Sequence, residues 1–228
     1  TYSGLKAWDA EGKALRTWFA PTTEGFAVHY EDTGAVYPIT IDPIAQNAYL
    51  KASNTDAEDQ FGRAVAVSGH TVVIGADRES SNATGVNGNQ SSNASIFSGA
   101  AYVFVKSGAG WSQQAYLKAS NTKPGVNFGL ALALDGDTLV VAAPFEQSNA
   151  KGVNGDQTNT AANLSGAVYV FTRTAGSWSQ QAYIKASNTD LGDNFGASVA
   201  LSGNTLIVGA PSEDSSAPGI NGDQDLDS

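Results

Sequence analysis

Three long polar stretches of this chain carry the side chains best suited to chemistry. Glu79, Asn87 and Asn89 in the first are matched by Glu146, Asn154 and Asp156 in the second and by Glu213, Asn221 and Asp223 in the third. The last two residues of each set fall in a G-[VI]-N-G-[ND]-Q motif. Carboxylate, amide and backbone oxygens on a glycine-kinked loop are the hard donors that Ca²⁺ takes. These nine residues are therefore the candidate metal ligands, and Ca²⁺ is the one cofactor they imply. A second reading stands beside it: Asn and Asp tolerate left-handed turns and bond their own backbone. The carboxylates are sparser than in an EF-hand loop, and Asn89 in place of Asp makes the first set the weakest.

Other chemistries find few residues. The two histidines, His29 and His70, have no counterparts elsewhere, and His70 stands where the related segments carry Asp137 and Asn204. No nucleophile elbow, phosphate-binding loop or H-E-x-x-H helix occurs. The absence of Cys removes thiolate metal sites, disulfides and cysteine nucleophiles together. Carboxylates such as Glu146 and Asp156 could exchange protons, but a group present in every repeat reads as structural. No catalytic residue is assigned, and the chain is expected not to be an enzyme. Trp111 and Trp178 read as rim packing ahead of sugar stacking. Tyr49, Tyr116 and Tyr183 read as packing between repeated units, and Lys51, Lys118 and Lys185 as partners of loop carboxylates at a solvated edge.

The elements that hold these residues are repeated at a fixed interval. The phrase QNAYLKASNT at Gln46 returns as QQAYLKASNT at Gln113 and QQAYIKASNT at Gln180, 67 residues apart each time. Each repeat offers four strands, in the first Phe61–Val67, Thr71–Ala76, Ala100–Val105 and Trp111–Ala119. Two-residue turns at Gly69-His70, Gly136-Asp137 and Gly203-Asn204 join strands one and two. The second and third strands are apolar on both faces, so the sheet must be covered on both sides. The fold class expected is all-β: a β-propeller of four-stranded blades, an incomplete ring in this chain. In such blades the long 2–3 loops and the 4–1 connections leave by one side, which becomes the face to search for a ligand. The segment Gln46–Ala52 reads as an orphan fourth strand, and further sequence beyond Ser228 is expected.

Residues 1–43 lie outside the repeat and read as a small antiparallel domain, a meander of about four strands, with Asp42-Pro43 a stiff junction. The propeller part is 44–228, in repeats 46–112, 113–179 and 180–228. The formal charge is −10 with no basic cluster, which argues against nucleic acid as a partner. No apolar run is long enough for a helix to span a bilayer, so membrane insertion is not expected.

Phe-Gly at the head of strand one and Gly-Ala-Pro at the end of strand two resemble the FG-GAP repeat of integrin α-subunit propellers and their bacterial extracellular relatives. The third repeat has both halves, Phe195-Gly196 and Gly209-Ala210-Pro211. The second reads Phe128-Gly129 and Ala142-Ala143-Pro144, and the first Phe61-Gly62 and Gly75-Ala76-Asp77. The resemblance implies a seven-bladed ring, secretion or surface display, and cell adhesion or binding of an extracellular protein or glycan. It does not carry over the integrin-type calcium loop, because strands one and two are here joined by only two residues. Two alternatives remain: a structural subunit that self-assembles through incomplete blades, and a non-catalytic part of a polysaccharide-active enzyme.

Overall fold

A computed structural model of the chain describes residues 5–23, 25–42, 48–108 and 110–225, which contain strands, turns and no helix. Two compact units emerge, Thr1–Leu50 and Lys51–Ser228.

The first unit holds five short strands: β1 (Lys6–Trp8), β2 (Ala14–Leu15), β3 (Thr17–Thr22), β4 (Gly25–Tyr30) and β5 (Thr40–Asp42). They do not form the expected meander. One sheet has the order β2-β1-β5 and a separate hairpin pairs β3 with β4. The apolar run 15–19 is divided between β2 and β3 at Arg16, and the run 36–41 contributes only its end to a strand. Asp9 is the physical reason. Its buried carboxylate accepts from the backbone N–H groups of Glu11 (3.0 Å), Lys13 (2.8 Å) and Val36 (3.2 Å), drawing residue 36 to the β1–β2 turn. β5 then returns to β1 rather than to β4. The bond from the Lys13 N–H, with those from Val36 and Glu11, holds the Asp9 carboxyl below its ordinary pKa. Residues 43–47, including Pro43 of the expected stiff junction and the start of the orphan strand, lie outside the described residues. Residues 48–52 are not in a strand, and Tyr49 is 77% exposed rather than packed. A fourth strand needs a third strand as its ladder partner, and among the described residues no strand pairs with 48–52.

The second unit is built from the repeat. β6 (Val65–Ser68), β7 (Thr71–Ala76), β8 (Ala100–Ser107) and β9 (Gly110–Leu117) form one antiparallel sheet in chain order. β10 (Ala131–Asp135), β11 (Thr138–Ala143), β12 (Ala167–Thr174) and β13 (Ser177–Ile184) form the next, and β14 (Ser198–Ser202) pairs with β15 (Thr205–Gly209) in the third. First strands begin three or four residues later than the sequence suggests. The chain turns at Phe-Gly, where Gly62, Gly129 and Gly196 have φ between 93° and 101°. That turn presses backbone on backbone across repeats: a Cβ on Gly75 would lie 2.1 Å from the Gly129 carbonyl oxygen. The Phe-Gly of one repeat thus seats on the Gly-Ala of the one before, which accounts for the recurrence of both signatures.

The sheets pack in succession. Val73, Val103, Ala115 and Leu117 of the first bury against Leu139, Val141, Tyr169 and Phe171 of the second. Val140, Ala142 and Val168 on the opposite flank of the second meet Val199, Leu201, Leu206 and Val208 of the third. The middle sheet is therefore packed on both sides, as its composition requires. The flanks at the two ends differ: Val65 and Val67 on the first sheet are each 68% exposed and Ile207 on the third 66%. Both flanks of every sheet were expected to be covered. Within this unit the end sheets have a neighbour on one side only.

Candidate functional site

Each long loop is anchored by one buried polar node. Glu79, one residue past the turn that ends β7, and Lys118, one residue past β9, form an ion pair of 2.7 Å from which water is excluded. Lys185 and Glu146 repeat it at 2.8 Å. The Glu79 carboxylate also accepts from Asn54 Nδ2 (2.9 Å), the Ser81 N–H (3.1 Å) and the Ser81 hydroxyl (3.3 Å). The Lys118 ammonium donates additionally to Ser98 Oγ (2.7 Å), and the Tyr102 hydroxyl donates to Asn54 Oδ1 (2.5 Å). Ser81 and Tyr116 share a hydroxyl–hydroxyl bond of 2.6 Å. Burial pulls the Lys118 ammonium below its ordinary range, against the opposing pull of Glu79, and pushes the Tyr102 and Tyr116 phenols up. These lysines were expected at a solvated edge. They pair with loop carboxylates as read, but in the interior, because strand four ends beneath the loop and its last side chain points into it.

The node ties three segments into one rigid corner. Asn54 belongs to the 4–1 connection, Glu79 to Ser98 is the 2–3 loop, and Lys118 closes strand four. Ser53 bonds Gln90, Asn121 Nδ2 donates to Glu146 Oε1 (2.9 Å) and the Gln157 carbonyl (3.0 Å), and Asn188 repeats this on Glu213 (2.8 Å) and Gln224 (3.1 Å). The two kinds of loop therefore share one side, as the alternation of strand direction requires. Far from projecting freely, the 2–3 loop lies back along strand four: the Asn87 N–H donates to the Tyr116 carbonyl (2.7 Å) and Asn87 Oδ1 accepts from the Tyr116 N–H (2.9 Å).

The nine candidate ligands all lie in these loops, and eight of them, all but Asn221, turn oxygens to protein donors. Glu146 accepts from Lys185, Asn121 and the Ser148 N–H. Glu213 accepts from Asn188 and from both the N–H and hydroxyl of Ser215. Asn154 Oδ1 takes the Tyr183 N–H at 2.9 Å, as Asn87 does that of Tyr116, and Asn221 has the same left-handed φ, 54°. Asn89, Asp156 and Asp223 each accept the N–H two residues on, at 2.9, 2.9 and 3.1 Å. Bonds from Thr158 hold Asp156 below its ordinary pKa. A carboxylate already neutralised by an ammonium is a poor cation ligand, so the donor set of Glu79 and Glu146 does not fit Ca²⁺. Among the described residues no group of three or more His, Asp or Glu is placed to hold a metal ion.

The outer surface of the corner is less polar than the sequence suggests. Val153 (63%), Leu164 (39%) and Leu191 (73%) are exposed on its second and third copies, Ile96 (60%) and Phe97 on its first. The Gly192 N–H donates to the Asn163 carbonyl (3.0 Å), setting the loop ending in Leu164 beside the connection that carries Leu191. Arg78 lies over the Phe97 ring at 5.2 Å. Trp178 is buried as expected, its indole N–H donating to Gln114 Oε1 of the preceding sheet at 2.8 Å. Sequence reasoning missed the role of Asn54, Ser81 and Ser98. Their signal was available: Asn54 returns as Asn121 and Asn188, Ser81 as Ser148 and Ser215, and Ser98 as Ser165.

No curated protein matches the chain significantly. The family model for the FG-GAP repeat matches three times, at residues 44–104, 111–171 and 178–224, each match beginning near the head of the strand-four phrase. With most of its length matched in the same phase as its sheets, the chain belongs to the FG-GAP repeat family.

Proposed function

We propose that this chain is a non-enzymatic β-propeller module, displayed outside the cell, that holds a protein partner against the face carrying its 2–3 and 4–1 loops. The observation that carries the reading is the set of apolar side chains, Val153, Leu164 and Leu191, exposed on loops whose backbone is fixed from below. Exposed apolar residues on rigid, polar-rimmed corners mark surfaces that close on another protein. Succession of antiparallel four-stranded sheets, each seated on the last by its Phe-Gly turn, supports the propeller. Adhesion follows as the use to which a repeated, preorganised binding face outside the cell is best suited.

The test is attachment of protein-coated beads to arrays of extracellular proteins and glycans. Binding to a protein that Val153→Asp and the double variant L164D/L191D abolish, with circular dichroism unchanged, supports the reading. Binding that these variants leave intact refutes it, and selective glycan binding shifts the partner class. Chelator is expected to leave attachment unchanged, because the loop carboxylates are satisfied by ammonium and N–H donors.

A further inference from the structure

We propose that the two buried ion-pair nodes are sites of self-modification: Lys118 condenses with Asn54, and Lys185 with Asn121, to give two intramolecular side-chain amide bonds with loss of ammonia. This does not rest on the loop-face reading, since it concerns the interior of the repeats.

A nucleophile, an electrophile and a proton carrier meet at each node. Glu79 bridges the other two: its Oε2 accepts from the Lys118 ammonium at 2.7 Å and its Oε1 from Asn54 Nδ2 at 2.9 Å. Glu146 bridges Lys185 (2.8 Å) and Asn121 (2.9 Å) in the same way. The amide oxygens turn to phenols, Asn54 Oδ1 accepting from Tyr102 (2.5 Å) and Asn121 Oδ1 from Tyr169 (2.6 Å). An ion pair alone asks for neither a shared amide nor a phenol on the amide oxygen. Among the described residues Lys118 and Lys185 are the only buried lysines. Burial lowers the pKa of both, against the pull of their glutamates, and so favours the neutral amine that attacks. Asn54 and Asn121 are half-buried, which leaves ammonia a way out.

The step balances without an added reagent. Glu79 takes a proton from the Lys118 ammonium, and the freed lone pair of Nζ attacks Asn54 Cγ. The carbonyl electron pair moves to Oδ1, where the Tyr102 hydroxyl stabilises the developing charge. Glu79 passes its proton to Nδ2 and takes a second one from Nζ. The Cγ–Nδ2 bond then breaks, the Nζ–Cγ bond remains, and the departing ammonia takes the last proton from Glu79 and leaves as ammonium. One alkylammonium and one primary amide have become one secondary amide and one free ammonium ion. Closure of the lysine and glutamate side chains to water keeps the attacking amine unsolvated. The product joins the 4–1 connection that enters a sheet to the end of the strand four that leaves it, so each of the two repeats is closed on itself covalently.

The test is intact-mass spectrometry of the denatured whole chain, made by cell-free synthesis and sampled after synthesis stops. The mass is expected to settle below that of the sequence by two ammonia molecules, with proteolytic fragments that join Asn54 to Lys118 and Asn121 to Lys185. Glu79→Gln should abolish the first bond and keep the second, whose persistence shows that the chain still folds. Glu146→Gln should do the converse. Tyr102→Phe should slow the first bond by about tenfold or more. An unchanged mass after prolonged incubation of the folded chain overturns the proposal, as does a deficit that E79Q and E146Q leave intact. A deficit that maps to Asn87-Gly88 or Asn154-Gly155 and is opened by hydroxylamine is a backbone succinimide, and it overturns the proposal equally.

Discussion

Replacing Lys118 by Met leaves the shape of the side chain nearly intact and removes its charge, so the buried node can be interrogated with little change in packing. Glu79 would then lose its ammonium partner in a site closed to water, keeping only Asn54 and the two donors of Ser81 among the described residues. Breaking one side of a buried ion pair costs about 3–5 kcal/mol. Three neutral donors stay in place, so the lower end, about 3 kcal/mol, applies to K118M. For a unit of this size that is a fall in Tm of about 6–12 °C, and a large part of a typical total stability of about 5–15 kcal/mol. Pairing it with Glu79→Gln removes the orphaned charge while the amide oxygen still accepts from Asn54 and Ser81. The double variant should recover about 2 kcal/mol of the loss. Urea unfolding followed by the fluorescence of Trp111 and Trp178 measures both, and amide exchange in the 79–98 loop locates the change. A cost below about 1 kcal/mol for K118M, or simple additivity in the double variant, would refute the view that the loop is held by this pair.

Other perturbations test the packing and the electrostatics. Trp178→Ala removes a buried ring that Arg173 covers at 5.1 Å, and should cost about 3–5 kcal/mol in the same urea assay. Gly129→Ala would place a methyl 2.3 Å from the Ala100 carbonyl oxygen at φ 93°; a loss of more than about 2 kcal/mol is expected. Gly69→Ala, at φ 55° in open space, should cost only about 1 kcal/mol, the strain alone. Asp193 is buried where the second repeat carries buried Val126, and desolvation raises its pKa above the ordinary 3.8. Between these two pKa values the folded chain binds more protons than the unfolded one. Stability of the native protein relative to D193V should therefore rise as pH falls through that window, and a difference that is flat from pH 7 to 3 would contradict it.

The contrast between what the sequence disclosed and what it did not follows from the range of the forces. Thr71–Ala76 was readable to the residue because a doubly apolar run bounded by a glycine turn has one local solution. The heads of first strands were misplaced because Phe-Gly looks like strand by composition, and only the contact of Gly129 with Gly75, from different repeats, shows why the chain turns there. In residues 5–42 the pairing was lost to a single side chain: nothing in the pattern announces that Asp9 will collect Val36 from 27 residues away. The lysines show the same limit. A Lys at the end of a wet-looking strand reads as surface, and only its fixed distance of 39 residues from a Glu, kept in both copies, hinted at burial.

The three loops also separate scaffold from surface by comparison within one chain. Positions with the same residue in every copy make backbone or node contacts: Glu79, Glu146 and Glu213; Ser81, Ser148 and Ser215; Asn87, Asn154 and Asn221, whose amides in the first two copies clasp strand four although they are exposed. Many positions that differ from copy to copy are exposed, as at Thr84, Lys151 and Pro218, at Asn89, Asp156 and Asp223, and at Ile96 and Asn163, although Ser95 and its counterpart Ala162 differ and are both buried. A surface that merely kept the chain soluble would need only polar residues there. Ile96 against Asn163 and Thr84 against Lys151 instead give each copy its own chemistry on a common frame, with an apolar residue placed where water is reached first. That division between constant support and individual tip is what a succession of repeats needs if its copies are to contact different parts of one partner. It also predicts where the two classes of substitution will be felt: changes at the constant positions in unfolding free energy, changes at the variable ones in binding alone. Exchanging Thr84 and Lys151 between copies should leave Tm within about 4 °C, because each of the two surface substitutions typically changes stability by less than about 0.5 kcal/mol. The same exchange should alter attachment to the protein partner, and an exchange that lowers Tm and spares attachment would reverse the assignment.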